Sequence, residues 1–204
     1  ASDVYKRQAH CVSEWGHDFR PAYHRISRLK TILPKVPILA LTATATEKIQ
    51  QEIVEKLELD NPKVFKSSLK RENLSYNVFL SADKKNDLIY YLKKYPGSSI
   101  IFVRNRKLTY EIASFLNQNG FAADFFHAKL TKDEKEQKQK NWMLSNSRIM
   151  VSTNAFGMGI DKPNVRTVFH IDLPQGIEAY YQEVGRAGRD EQESHGIYLY
   201  NPDD

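Results

Sequence analysis

Short apolar runs alternate with amphipathic stretches through most of the chain. Residues 99–103 (Ser-Ile-Ile-Phe-Val) and 149–151 (Ile-Met-Val) are nearly unbroken apolar runs, and 165–171 (Val-Arg-Thr-Val-Phe-His-Ile) is a mainly apolar one. Each run is short enough for one buried strand and too short for a helix. The segment 121–126 and the terminal run 196–200 read the same way. Between them the period changes. Residues 84–94 predict a helix stopped by Pro96-Gly97. Residues 108–117 place Leu108, Ile112, Phe115 and Leu116 on one helical face and stop before Gly120. A lysine-rich helix is predicted within residues 129–140, where Thr131 and Glu134 have capping-box spacing. Another helix starts at about Gly176. Strands separated by helices predict an α/β fold with a parallel sheet covered on both faces.

The first third of the chain follows a looser version of this pattern. It predicts a loop, a helix near residues 22–32, a strand over 38–41, a helix through Ile49, Ile53 and Leu57, and a strand near Val64. Thr44 and Glu47 have the spacing to open that second helix. The threonines of residues 42–46 read either as a cap and turn or as a hinge between a nucleotide site and a polymer track. Residues 67–80 are polar and basic and read as a linker. The predicted organisation is therefore a first lobe over 9–74 and a second over 75–204. Residues 1–8 lack the apolar character of a buried strand and read as foreign sequence, outside the fold.

Composition narrows the picture only modestly. With 41% hydrophobic and 27% charged residues among 204, the chain is of ordinary globular composition. Its single cysteine, Cys11, supports neither an internal disulfide nor a four-cysteine metal site, and fits a reducing compartment. No apolar run approaches the roughly 20 residues that span a bilayer, so no membrane association is expected. The net charge of +5 permits nucleic-acid binding without requiring it. The densest lysine run, 129–140, reads as a solvated helix face.

The candidate chemistry lies in the loops. In Tyr180-Tyr181-Gln182-Glu183-Val184-Gly185-Arg186-Ala187-Gly188-Arg189-Asp190, two arginines three residues apart each follow a glycine. One helical turn would set both guanidinium forks on the same face, suited to polyphosphate oxygens. Upstream, Ser152 and Thr153 close a strand, Gly157 and Gly159 allow close ligand approach, and Asp161 offers a carboxylate. In such sheets, ligands bind at the carboxyl ends of the strands. Near the start, Trp15 and Phe19 flank Gly16, with Arg20 beyond. Two rings beside a cation suit base stacking on a single strand, and also suit filling a core gap.

Four segments in this order and spacing resemble the RecQ-type DNA helicases of superfamily 2. They are Ala9-His10-Cys11-Val12-Ser13-Glu14-Trp15-Gly16-His17-Asp18-Phe19-Arg20-Pro21, residues 40–46, residues 154–166 and residues 182–190. The resemblance covers residues 9–204 and implies RecA-like lobes, with the second lobe complete. It implies an ATP- and Mg2+-dependent enzyme that unwinds DNA 3′ to 5′, acts on single-stranded and forked DNA in repair and recombination, and resides in the cytoplasm or nucleus. Arg189 would be the arginine finger on the γ-phosphate, with Arg186 beside it and Gln182 in support. Gly159, Asp161 and Gly185 would lie near the nucleotide, and His10 next to the magnesium site. Trp15, Phe19 and Arg20 would touch single-stranded DNA, with His17 and Asp18 coupling that contact to hydrolysis. Arg104, Asn105, Arg106, His127, Ser152 and Thr153 would contact the DNA from the second lobe.

Three departures matter. Arg7-Gln8 stand where the family carries the Asp-Glu that hold magnesium. Lys129 replaces a glycine in His127-Ala128-Lys129-Leu130. No phosphate-binding loop of the form Gly-x-x-x-x-Gly-Lys followed by Ser or Thr occurs. The expectation is a piece of a helicase, inactive by itself. The alternative is a catalytically inactive nucleic-acid-binding module, supported if Arg7-Gln8 are genuine.

Overall fold

The computed structural model describes residues 4–6, 9–13, 26–42, 45–66, 70–156 and 161–202. The chain divides into two compact units, Ala1–Leu69 and Lys70–Asp204.

In the first unit, β1 (Val4–Lys6) pairs in parallel with β2 (Ile38–Ala40). Within residues 1–8, whose polarity predicted no strand, Val4–Lys6 thus pair as one. A 3-10 turn, Ala9–Val12, follows, and Ala9 N donates to Leu41 O at 2.9 Å. The described residues of this unit also form the short α1 (Leu29–Ile32) and the longer α2 (Glu47–Lys56). Ile49, Ile53 and Leu57 pack on Ala9 and Val12, as the helical period requires. The cap of α2 is Thr46 rather than Thr44: its hydroxyl accepts from Ile49 N, so Glu47 is the first helical residue. The strand expected near Val64 is absent. Val64 and Phe65 are 60% and 88% exposed, and a run with no core to face gains nothing from pairing.

The second unit is a six-stranded parallel sheet of order β3-β8-β7-β4-β6-β5. Its strands are β3 (Leu74–Leu80), β4 (Ser98–Phe102), β5 (Ala123–Phe126), β6 (Ile149–Ser152), β7 (Val165–His170) and β8 (Ser194–Tyr200). Residues 74–80, expected to be linker, form edge strand β3, paired with β8 from Leu74↔Ser194 to Leu80↔Tyr200. With one side open, β3 leaves Tyr76, Val78 and Leu80 exposed and so lacks the continuous apolar run of a central strand.

The four helices are α3 (Lys84–Lys94), α4 (Arg106–Gln118), α5 (Lys132–Met143) and α6 (Ile177–Val184). Successive strand residues serve opposite faces. Ile101, Val103, Ile149 and Val151 meet Leu88 and Leu92 of α3 and Ile112 and Leu116 of α4. Ile100, Phe102, Met150 and Val168 meet Trp142 of α5 and Val184 of α6. The expected covering of the sheet on both faces is realised here. Among the described residues no helix is long and apolar enough to cross a membrane.

Candidate functional site

Helix α6 lies where it does because of what it rests on. Tyr76 of β3 stacks on Tyr181 at 6.0 Å and is tilted to Tyr180 at 6.2 Å. Val184 sits over Gly196 of β8, where a Cβ would come within 2.4 Å of Val184 Cγ1. A glycine there permits the close approach. At the end of β7 the buried His170 holds Glu183 Oε2 at 2.7 Å, and its ring stacks on Phe102 at 5.3 Å.

The helix ends at Val184 with Gly185 as its cap, so Arg186 and Arg189 do not share a helical face as expected. They lie on a compact turn instead. Gly188 has φ +59°, and a Cβ there would meet Asn73 Nδ2 at 2.6 Å, Ser194 Oγ at 2.7 Å and Gln192 O at 2.9 Å. Such a left-handed, crowded position admits only glycine without strain. The turn is bonded to the amino ends of β3 and β7. Gly188 N donates to Val165 O at 2.8 Å, Asp190 N to Pro163 O at 3.3 Å, and Asn73 Nδ2 to Gly188 O at 2.8 Å and Gln192 O at 2.9 Å. The arginine turn thus sits at the rim opposite the carboxyl ends, where the ligand loops were expected.

Arg71 reaches the same turn from before β3. Its Nη1 donates to Gly185 O at 3.2 Å and Ala187 O at 2.9 Å; its Nη2 bonds Gly188 O and Asn73 Oδ1. Ala187 is fully buried, while the side chain of Arg189 remains 36% exposed. Arg189 Nη1 donates to Asp161 Oδ1 at 2.6 Å. Burial, then the like charge of Arg189, lowers the pKa of Arg186 from its ordinary value, with Glu183 acting the other way. Arg71, Glu72, Asn73, Arg189 and Glu191 line one open recess.

The stretch that follows Asp161 is anchored at two points. Lys162 is buried, with Nζ bonded to Trp142 O and to Ser145 Oγ at 3.1 Å. Arg166 holds both carboxylate oxygens of Asp190, through Nη2 at 2.5 and 2.6 Å.

At the other rim, β4 leads into Arg104, Asn105 and Arg106, all exposed. Arg104 N donates to Asp172 Oδ2 at 2.6 Å, and Asn105 caps α4 by accepting from Leu108 N at 3.0 Å. His127 follows β5, half-buried, and its Nδ1 has no hydrogen-bond partner among the described residues. Thr153 Oγ1 accepts from Ala155 N at 3.4 Å. Ser152 corrects an expectation: it is fully buried, its hydroxyl within 2.9 Å of Phe126 O and 2.7 Å of Thr153 O, so it faces the sheet interior rather than a nucleic acid.

Of the other expected site residues, Trp15, His17, Asp18, Phe19, Arg20 and Gly159 lie outside the described residues, as does the side chain of His10. Sequence reasoning brought out Asp161, Arg186 and Arg189 but missed Arg71, Asn73, Arg166 and His170. The partners of Arg71 lie 114 to 117 residues away. Spacing carries no signal for such a contact.

The model for the helicase conserved C-terminal domain matches residues 83–191, a span that contains Asp161, Arg186 and Arg189. The chain is 42% identical over 198 residues to the ATP-dependent DNA helicase RecQ of Pasteurella multocida, covering 97% of this chain and 31% of that protein. It is 44% identical over 201 residues to the RecQ-like DNA helicase blm-1 of Caenorhabditis elegans, covering 95% of this chain and 20% of that one. The chain thus spans less than a third of the length of either relative. In fold it is similar to Saccharomyces cerevisiae Dbp5 bound to RNA and ADP BeF3, with a TM-score of 0.76 at 23% identity, over 98% of this chain and 53% of that one. From a parallel α/β sheet, the arginine turn on its rim and this agreement over nearly every residue, we conclude that the chain belongs to the helicase conserved C-terminal domain family, as a RecQ-type member.

Proposed function

We propose that this chain is part of an ATP-driven DNA helicase that moves 3′ to 5′ along a single strand and opens forked duplexes, and that Arg189 answers to the nucleotide. One observation carries the reading. On a turn otherwise tied to the sheet, Arg189 reaches an exposed position and there holds the oxygen of a carboxylate, Asp161, which is itself 79% exposed. A guanidinium that binds carboxylate oxygen at a rim has the geometry to bind phosphate oxygen. ATP would supply a γ-phosphoryl group on which charge spreads during cleavage. Arg189 would stabilise that charge, with Arg186 lending potential and Gln182 holding the nucleotide side of α6. Gly185 and Gly159 would leave room for the nucleotide. Asp161 would give up its contact with Arg189 when phosphate arrives.

Arg104, Arg106, His127 and Thr153 would hold the DNA backbone from the opposite rim. In the first unit Trp15, Phe19 and Arg20 would stack on and pair with the strand, and His17, Asp18 and His10 would couple that contact to hydrolysis. Among the described residues no three His, Cys, Asp or Glu side chains come together to hold magnesium, and Arg7 and Gln8 bring no carboxylate to the positions before Ala9. The reading places the protein in the cytoplasm or nucleus, where its DNA is.

The test is DNA-stimulated ATP turnover by the full-length protein. Arg189→Ala is expected to lower kcat by roughly 10³-fold or more. Unchanged turnover sinks the assignment. Arg7-Gln8 favours a second reading, a DNA-binding module without turnover. Sequencing the gene across codons 1–9 separates the two, since Asp-Glu before Ala9 removes that reading's support.

A further inference from the structure

The geometry points to Arg71 as a positioning residue for the arginine turn, a role that rests on the reading of Arg189 above. Arg71 lies outside the matched helicase domain, in a stretch whose composition reads as linker. Its guanidinium nevertheless closes on three backbone carbonyls of one turn, those of Gly185, Ala187 and Gly188, and on the Asn73 side chain.

The pattern of acceptors is what distinguishes Arg71 from an ordinary surface arginine. Three carbonyls of a single turn converge only when the turn folds back on itself, and a planar fork can bridge them all at once. A helix ending at Val184 leaves its last carbonyls without intrahelical partners, and Arg71 takes up that of Gly185. Asn73 adds two bonds to the same turn, at Gly188 O and Gln192 O. Gly188 fits against Asn73 with no space for a Cβ. Arg71 and Arg189 also line the same recess, so the clamp lies next to the group it would orient. Because Arg71 bonds carbonyls and an amide, no carboxylate cancels its charge through these contacts. It therefore adds positive potential beside the two motif arginines.

Arg71 thus acts through the backbone. It sets where the Cα atoms of Arg186 and Arg189 stand, and through them the direction of the Arg189 fork. Displacing such a group by about 1 Å costs on the order of 10²-fold in rate without loss of substrate binding. A residue that merely stabilised the fold would change the fraction of folded protein and leave the turnover of folded molecules alone.

The experiment uses the full-length protein and measures kcat and KM for ATP under DNA stimulation, with the folded fraction taken from thermal unfolding. The variants are Arg71→Lys, Arg71→Ala, Arg189→Ala and the double variant Arg71→Lys/Arg189→Ala. Lysine keeps the charge but cannot bridge three carbonyls. Arg71→Lys is expected to lower kcat per folded molecule by roughly 10- to 100-fold, with KM moving less than about threefold. The double variant should lose less than the product of the two single losses, since Arg71 acts on Arg189 through the turn. Should Arg71→Ala fail to fold, the result is read on Arg71→Lys, and failure of both to fold assigns Arg71 to stability and overturns the inference. Full kcat in Arg71→Lys, or additive losses in the double variant, also overturns it. If Arg189→Ala keeps full turnover, the reading of the turn itself fails. If Arg189→Ala collapses turnover and Arg71→Lys does not, only the role of Arg71 fails.

Discussion

At the scale of single residues, the arginine turn depends on one glycine and one carboxylate. Gly188 combines a left-handed backbone with three atoms closer than any Cβ tolerates. Gly188→Ala is expected to destabilise the protein by about 2–4 kcal/mol, as strain and overpacking add. Urea unfolding measures this, and an unchanged midpoint would refute the crowding. Asp190 sets a pH limit on the same turn. The Arg166 hydrogen bond holds its carboxyl below the ordinary aspartate value of 3.8, outweighing burial, which acts the other way. A carboxyl whose folded value is depressed stabilises the fold above its unfolded value. That contribution is lost as pH falls from near 3.8 through the lower folded value. Asp190→Asn should therefore be less stable than the parent at neutral pH and converge with it in acid. Parallel acid-unfolding curves for the two proteins would contradict the pairing. Asp161 and Arg189 stood out in the sequence as candidates, through the motifs that carry them. Arg71 did not, because its partners are backbone carbonyls more than a hundred residues away, and a backbone carbonyl is the same in every sequence.

At the scale of elements, legibility followed burial. Strands β4, β6 and β7 lie inside the sheet, covered on both faces, and their mainly apolar runs revealed them. Strand β3 escaped notice because an edge strand needs apolar residues on only part of its surface. Helix α5 shows the opposite case: its sequence is polar nearly all round, and Trp142 is its one buried residue. Such a helix depends on its cap and its anchor. Thr131 accepts from Glu134 N, and Glu134 Oε2 accepts from Thr131 N at 2.8 Å, the reciprocal box that spacing predicted. Thr131→Ala should cost about 1 kcal/mol. Trp142→Ala should cost about 3–5 kcal/mol and also remove the ring that lies 4.7 Å from the Lys162 ammonium, which keeps its bond to the backbone carbonyl. Hydrogen exchange along α5 reads both effects. Protection equal to the parent in Trp142→Ala would mean that the helix has another anchor. The lysines are mostly solvated, as expected, except Lys138, which pairs with Asp124 at 2.5 Å and lies 3.9 Å from the Phe125 ring.

At the scale of the second unit, the sheet separates two groups of cations. Arg104 and Arg106 follow the carboxyl end of β4, while Arg71, Arg186 and Arg189 gather at the amino ends of β3, β7 and β8. The six residues of β7 set the rims roughly 17 Å apart. Substitutions at the two rims should therefore have separable effects. Arg104→Ala and Arg106→Ala should each weaken binding to single-stranded DNA and lower the salt dependence, log K against log salt, by a slope of about 0.7. Neither should alter ATP binding measured without DNA. A change in nucleotide affinity in either variant would contradict this division. The sheet between the rims is packed on both faces with fully buried side chains. Interiors of that density deform little. The plate therefore works as a ruler: neither rim can shift by an ångström relative to the other without breaking strand pairs. Whatever Arg189 feels can reach Arg104 only if the plate turns as one piece, and a small tilt about one rim becomes a proportionate stride at the other.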